Sequence, residues 1–148
     1  DGREVYVGML GNERLTRLPV WELSFGSLVQ GQAGIATRKV KWDRKYQQRH
    51  GITRAAAIDL APAMVARLDA LSRRIYRSLG LSGYARMDFR IRADGQVFLL
   101  EANANPCLAQ VEDFSQSALS AGIGYQDLLA RIVALGLAYK AEWRADYA

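Results

Sequence analysis

The chain has 148 residues, half of them hydrophobic and 24% charged, with a formal net charge of +5. This length and composition suit one globular domain, and no apolar run approaches the ~20 residues that cross a bilayer. One cysteine excludes an internal disulfide. We therefore expect a cytoplasmic protein with anionic partners. The chain opens Asp1-Gly2-Arg3-Glu4, already strand-like and without methionine or a signal-peptide pattern, so we expect residues to be missing before it.

The first elements are predicted to be strands. Residues 3–10 (REVYVGML) form one strand, and Gly11-Asn12 turns the chain into a second that includes Leu15, Leu18 and Val20. Pro19 interrupts the second segment, which predicts an edge position or a bend. Residues 21–25 are expected to continue it.

Two loops follow. The glycine-rich segment 26–34 lacks the spacing of a phosphate-loop motif. The basic stretch 38–49 contains six Arg or Lys residues with Trp42 and Tyr46 interleaved. A surface loop is one interpretation, and nucleic-acid binding with the two aromatics stacking on bases is another, although no nucleic-acid-binding motif accompanies them.

Later elements show clearer patterns. A helix is predicted over 62–79, with Pro62 in its first turn, Gly80 after its end and a buried stripe at helical spacing. The stripe consists of Met64, Val65, Leu68, Leu71, Ile75 and Leu79. Strands over 84–92 and 96–104 flank Asp94-Gly95, a hairpin signal. A final helix from about Tyr125 to Tyr139 is expected to bury Leu128, Leu129, Ile132 and Val133.

The hairpin carries the most informative polar residues. A two-residue turn at Asp94-Gly95 would pair residues whose numbers sum to 189, which places Asp88 opposite Glu101 and Arg86 opposite Asn103. Directly opposed residues share a face, with Cβ atoms about 5 Å apart. The apolar face would then carry Phe98 and Leu100 of the second strand, and a slip by one residue would destroy it.

Two opposed carboxylates destabilise a sheet unless they are neutralised. Mg²⁺ neutralises such a pair well, since it prefers one or two carboxylates together with phosphate oxygens and water. A surface network of ion pairs with Arg86, Arg90 and Arg92 is the alternative. The hairpin residues alone leave both interpretations open.

A family resemblance adds to this pattern. Arg86-Met87-Asp88, Glu101-Ala102-Asn103 and Pro106 resemble the R-x-D and E-x-N-x-x-P motif of ATP-grasp enzymes of the D-alanine–D-alanine ligase type. The resemblance extends to Gly2-Arg3-Glu4, Val40-Lys41-Trp42 and residues 121–125, so it covers nearly the whole chain. It implies an α+β fold, the C-terminal subdomain of an ATP-grasp enzyme over residues 1–148, with a mainly antiparallel sheet and helices on one face.

The resemblance also implies site residues. Asp88, Glu101 and Asn103 would hold Mg²⁺ (Mn²⁺ as the alternative), and Arg86 would be catalytic, stabilising an acyl phosphate and the tetrahedral species formed from it. ATP would contact Lys41 or Lys45 through its phosphates and Glu4 through its ribose, with Trp42 and Leu99 also in the nucleotide site. Glu4 as an exposed strand-end carboxylate is the plain alternative.

The chain departs from the family pattern near the expected substrate site. Cys107 follows the motif proline in place of glycine, and Glu112 and Asp113 lie where the ligases have a serine-containing loop. These residues are assigned to the substrate, and the two acids favour a cationic or amine-bearing one.

We therefore expect an ATP- and Mg²⁺-dependent ligase that joins a small carboxylate to an amine. The upstream half of the enzyme is expected to be absent from this chain, so this segment alone should be inactive. A homodimer is an assembly to test. The alternatives are a non-catalytic nucleotide-binding or interaction module and the nucleic-acid-binding protein described above.

Overall fold

Within residues 2–26, 40 and 43–140, which the computed structural model describes, six strands form an antiparallel sheet. The strand order is β4-β3-β1-β5-β6, and β2 also pairs with β1. The strands are β1 (Arg3–Leu10), β2 (Thr16–Arg17), β3 (Trp21–Ser24), β4 (Thr53–Ala56), β5 (Tyr84–Ile91) and β6 (Val97–Asn103). The helices are α1 (Arg44–His50), α2 (Pro62–Ser78), α3 (Asp113–Ser120) and α4 (Tyr125–Ala138).

The central strand β1 pairs with β2, β3 and β5. Pro19 lies between β2 and β3, and the sum of paired residue numbers changes from 26 in Met9↔Arg17 to 27 in Glu4↔Leu23. The proline cannot donate to a ladder, so the second strand breaks there and resumes one residue out of register. The predicted bend is confirmed.

Helix α2 covers the face of the sheet to which Val5, Val7 and Met9 point. Its end is confirmed at Gly80, whose φ of +59° lets its N–H donate to Arg77 O at 3.0 Å. Leu79 was predicted to be buried, but it caps the helix and is 56% exposed. The buried stripe instead continues through Tyr76, whose hydroxyl donates to Gly11 O at 2.7 Å and whose pKa burial raises to about 12.

The opposite face of the sheet is covered in two places. At one end α3 lies so close that a Cβ added to Gly8 would come within 3.0 Å of Phe114. Helices α3 and α4 form a second cluster with Leu10 and Leu18, and Tyr46 of α1 packs on a third cluster around Tyr6. The α+β class and antiparallel sheet are confirmed, but the helices pack on both faces, because the face of Leu10 and Tyr6 also contributes apolar side chains to these two clusters.

Two helices were not predicted as such. Helix α1 occupies part of the expected basic loop, where the Asp43 side chain accepts from the Tyr46 N–H at 3.0 Å and Gly51 ends the helix at φ +61°. Helix α3 lies in a segment for which no helix was predicted.

The β5–β6 hairpin corrects the predicted turn. Arg92 N donates to Gln96 O at 2.9 Å, so the loop has three residues, Ala93 to Gly95, with Gly95 at φ +79°. Pairing sums are 188 near the loop, as in Phe89↔Leu99, and return to 189 at Asp88↔Glu101 through a β-bulge at Leu100. The loop and the bulge cancel, so the predicted pairing of the carboxylates is right although the turn was wrong.

The same bulge changes the expected apolar face of β6. Phe98 and Leu100 were expected in the core, but they are 45% and 51% exposed. Val97 packs there instead, whereas Ala102 lies in the core as predicted. Helix α4 buries Leu128 and packs Ile132 and Leu135 against the second cluster. Val133 is 61% exposed, contrary to prediction.

Among the described residues, no individual helix is both long and apolar enough to cross a membrane. Helices α3 and α4 meet that test only when they are joined across a bend of 106°.

Candidate active site

Polar side chains form rows across the sheet face opposite α2. Strand pairing aligns Glu4 with Arg90, Tyr6 with Asp88 and Gly8 with Arg86. The ladder then continues these rows onto β6, where Asp88 lies opposite Glu101 and Arg86 opposite Asn103. Because directly paired residues share a face, Asp88, Glu101, Asn103 and Arg86 are brought together as predicted.

Arg86 and Asp88 form a bidentate pair within β5. Arg86 Nε donates to Asp88 Oδ1 at 2.7 Å and Nη2 donates to Oδ2 at 2.8 Å. Burial by itself lowers the pKa of Arg86, but the hydrogen bonds and charge of Asp88 outweigh it and raise that pKa overall. Arg86 therefore stays a cation, with its guanidinium 4.7 Å from the centre of the Tyr6 ring.

The other row contains a buried acid. Glu4 is 4% exposed, so the interpretation as an exposed strand-end carboxylate is wrong. Its Oε2 accepts from Arg90 Nη2 at 2.6 Å and its Oε1 accepts from the Tyr6 hydroxyl at 3.0 Å. Burial and the Glu4 charge raise the pKa of Tyr6, so its hydroxyl remains a donor.

The arginines form part of the ion-pair network that was the alternative to metal binding. Arg86 pairs with Asp88, Arg90 with Glu4, and Arg92 with Asp94 at 3.5 Å. Glu101 is exposed, and it has no arginine or lysine partner within the described part of the chain. Only one carboxylate of the opposed pair is therefore neutralised by this network.

The oxygen donors at this face fit a divalent cation that also binds phosphate. Asp88, Glu101 and Asn103 offer oxygen atoms, which Mg²⁺ prefers, and each carboxylate oxygen has lone pairs beyond those used by one hydrogen bond. In residues 2–26, 40 and 43–140, no three His, Cys, Asp or Glu side chains are grouped closely enough to hold a metal. Two carboxylates and an amide suit Mg²⁺ when phosphate and water complete its shell, so the set fits a nucleotide-bound ion.

The proposed nucleotide contacts are less well grouped. Lys41 and Trp42 lie outside the described residues, and Lys45 is exposed on α1. Leu99 is 44% exposed and pairs with Phe89, whose side chain is in the core. Leu99 therefore does not share the face of Asp88, although simple alternation along β6 predicts that it does. Their roles stay predictions.

The expected substrate residues lie near the start of α3. Cys107 is exposed, just after buried Pro106, and Glu112 is the N-cap residue of α3. Asp113 is buried, and burial raises its pKa despite the charges of Arg54 and Arg86. Arg54 Nη1 lies 3.4 Å from Glu112 Oε2, and Arg54 Nε lies 3.8 Å from Asp113 Oδ2.

Sequence reasoning missed Tyr6 and Arg54 at this face, and it placed Arg90 in an ion-pair network without naming Glu4 as its partner. Tyr6 and Arg90 had a signal, since alternation along β1 and β5 puts them on the face of Glu4 and Asp88. Arg54 had none, because residues 53–56 (TRAA) carry no apolar alternation that would predict a strand.

The basic stretch offers less to nucleic acid than its composition indicated. Tyr46 packs on the cluster around Tyr6, and its ring lies 4.3 Å from that of His50. It is therefore used in the fold, while Trp42 lies outside the described residues.

Comparison with known families decides the assignment. Residues 1–134 match the family model described as D-ala D-ala ligase C-terminus. The chain belongs to this family. The D-alanine--D-alanine ligase of Desulfotalea psychrophila is 31% identical over 143 residues, which cover 92% of this chain and 39% of that protein. The uncharacterized protein y4sG of Sinorhizobium fredii is 29% identical over 133 residues, 90% of this chain and 38% of that protein.

Solved structures of D-alanine--D-alanine and D-Ala:D-Ser ligases have the same fold as this chain over the matched residues. A D-alanine--D-alanine ligase from Bacillus anthracis complexed with ATP superposes with a TM-score of 0.69 at 23% identity, over 93% of this chain and 38% of that one. The VanG D-Ala:D-Ser ligase from Enterococcus faecalis gives 0.67 at 18% identity, over 91% and 36%. The chain thus spans about two fifths of the length of the relatives it matches. The predicted family and fold are confirmed.

Proposed function

We propose that this chain is the metal- and phosphate-binding part of an ATP-dependent ligase that joins a carboxylate to an amine. Membership of the D-ala D-ala ligase C-terminus family supports an ATP-dependent ligase. The single structural observation that carries the proposal is the direct pairing of Asp88 with Glu101, beside Arg86 and Asn103 on one face.

The roles follow from charge and donor chemistry. Asp88, Glu101 and Asn103 would hold Mg²⁺, which supplies charge neutralisation for the phosphates of ATP. Arg86 is oriented by its two bonds to Asp88 and keeps a guanidinium N–H free of that pair to meet oxygens of an acyl phosphate. Glu4 would accept from the ribose hydroxyls with its remaining lone pairs.

A region outside this chain would complete the nucleotide site. The relatives are more than twice as long as the matched part, so the glycine-rich loop and base-binding segment are proposed to lie upstream. Lys41 or Lys45 would reach the phosphates from this chain.

The amine substrate differs from that of the named relatives in this proposal. Glu112 and Asp113 disfavour an acceptor carboxylate at the start of α3, while Arg54, which lies against both acids, offsets part of their negative charge. We therefore extend the acceptor to neutral or cationic amines and test D-alanine as the reference.

The decisive experiment uses the protein expressed from its complete coding sequence. Phosphate release is measured with ATP, Mg²⁺, D-alanine and a panel of amino acids and simple amines. Asp88→Asn and Glu101→Gln should each abolish release and weaken Mn²⁺ binding measured by electron paramagnetic resonance in the presence of ATP. Glu13→Gln removes an exposed acid remote from the site and is the matched control. Unchanged Mn²⁺ binding and turnover in both site variants would remove the metal assignment.

Nucleotide binding without turnover is the second candidate. Its signature is Mg·ATP binding that depends on Asp88 and Glu101 while no amine on the panel stimulates phosphate release. The buried, bidentate Arg86 favours turnover, because a positioned guanidinium beside the phosphate site is an arrangement that stabilises developing charge.

A further inference from the structure

The start of α3 is tied to two different strands of the sheet. Arg54 on β4 lies 3.4 Å from Glu112 and 3.8 Å from Asp113. Arg86 on β5 lies 3.9 Å from the same Asp113 oxygen, Oδ2. One carboxylate oxygen therefore lies between two guanidinium groups from strands that are separated by β3 and β1.

Strand pairing puts Arg54 on the face that carries the site. Arg54 pairs with Leu23, Leu23 with Glu4, and Glu4 with Arg90. The row thus crosses four strands on a single face. From Arg54, ion pairs run through Asp113 and Arg86 to Asp88.

These groups interact with little screening by water. The side chains of Asp88, Asp113 and Arg86 are 5%, 8% and 15% exposed. Charges that lie in a poorly solvated region couple more strongly than surface pairs do. The ion pairs of Asp113 therefore link the guanidinium groups of Arg54 and Arg86.

Arg54 also restrains the loop that follows the site. Residues 104–112 form the loop that connects β6 to α3, and Glu112 is its last residue. The Ser115 hydroxyl of α3 donates to Leu108 O within that loop at 2.9 Å. Fixing Glu112 and Asp113 fixes the loop's far end, while its near end is fixed by β6. Cys107 lies between these two ends.

We propose that Arg54 is a positioning residue for this site. Through Asp113 it sets where the Arg86 guanidinium lies against Asp88, and through Glu112 it holds the loop 104–112 in place. This inference rests on the proposed function, and it adds a residue outside the motifs that carry the family resemblance. Arg54 acts on the transfer step rather than on ATP binding, because the ion pairs described above lead from it to Arg86 and to the loop.

The variants are Arg54→Gln and Arg54→Lys, with Arg74→Gln as the matched control that removes an exposed arginine from α2. In the protein from the complete coding sequence, Arg54→Gln should lower kcat for amine-dependent phosphate release by about 10- to 100-fold, as small misplacements do. The KM for ATP should stay within about twofold. Arg54→Lys should recover only part of the rate, since an ammonium cannot contact both acids as a guanidinium fork does. Equal loss of kcat and of ATP affinity, or full activity in Arg54→Gln, would overturn the proposal.

A double-mutant cycle tests the route through Asp113. If Arg54 acts through that carboxylate, Arg54→Gln should cost little further activity in an Asp113→Asn background. Independent, multiplying losses would show that the route is wrong.

Hydrogen–deuterium exchange separates this inference from the proposed function. Arg54→Gln should speed amide exchange in residues 104–116 and leave α2 unchanged, whatever reaction the protein catalyses. Faster exchange without phosphate release in the parent protein would retain the positioning role and reject the ligase. Unaltered exchange together with an active parent would reject the positioning role alone.

Discussion

Arg90 donates a 2.6 Å hydrogen bond to Glu4 across β1 and β5, and the two side chains are 15% and 5% exposed. A buried ion pair costs desolvation energy on both sides, so it is a weak source of stability, but its rupture leaves one buried charge uncompensated. The pair therefore makes the Glu4 end of the sheet face sensitive to single substitutions.

Arg90→Met should destabilise the protein by about 3 kcal/mol, measured as the free energy of unfolding in urea. Glu4→Gln combined with Arg90→Met should recover much of this loss, because no unpaired carboxylate remains. Arg92→Met is the control, since Arg92 is 52% exposed and its pair with Asp94 lies at the surface. A loss no larger than that of the control would contradict the proposed burial cost.

Asp113→Asn should change stability with pH. Burial raises the folded-state pKa of Asp113 above its ordinary 3.8, so the carboxyl favours folding below the unfolded pKa and loses that contribution as pH rises through the folded pKa. At pH 7 the ionised group is a net cost, and the asparagine variant should have the higher Tm. The advantage should shrink as pH falls toward 4, and a variant less stable at pH 7 would disprove it.

Gly95→Ala and Gly136→Ala form a matched pair. Among the described residues, a Cβ would meet no atom within 4 Å at either position, but Gly95 has φ +79° in the hairpin loop whereas Gly136 lies within α4. Gly95→Ala should therefore cost about 1 kcal/mol through left-handed backbone strain. Gly136→Ala should stabilise the protein by up to about 1 kcal/mol, through helix propensity. Equal effects in thermal unfolding would contradict the difference in backbone conformation.

Gly8→Ala should be destabilising for a packing reason. The new Cβ would lie 2.8 Å from Leu18 Cδ1 and 3.0 Å from Phe114 Cε2, and overpacking of this kind costs about 1–3 kcal/mol. Because Phe114 belongs to α3, the helix must move away from the sheet. We expect a lower Tm together with faster hydrogen exchange in α3, whereas a loss of Tm without altered exchange would place the strain elsewhere.

The sequence predicted the elements whose signals are local. Pro62 and Gly80 bracket α2, and the alternation along β5 identified the face that carries Asp88. The apolar face of β6 was predicted incorrectly, because a simple period of two cannot reveal an extra residue at Leu100. The motif residues could therefore be grouped correctly, but their apolar neighbours could not.

Long-range features had no comparable signal. Strand β4 is recognised by its pairing with β3, and its sequence TRAA alone does not distinguish it from a loop. Helix α3 contains three serines in eight residues, which weakens its helix signal. The role of Arg54 depends on both elements, so it became visible only when the sheet brought residues 54 and 113 together.

The bulge at Leu100 and the three-residue loop Ala93–Gly95 jointly set which side chains face each other in this hairpin. If the loop tightened to a two-residue turn that pairs Ala93 with Gln96, or if Leu100 paired with Asp88, either change alone would slip β6 by one position and turn Glu101 away from Asp88. Both slips together would restore the alignment. Deletion of Leu100 itself would leave the pairs on either side of it in place, so the hairpin can lose its bulged residue and still keep both acids side by side.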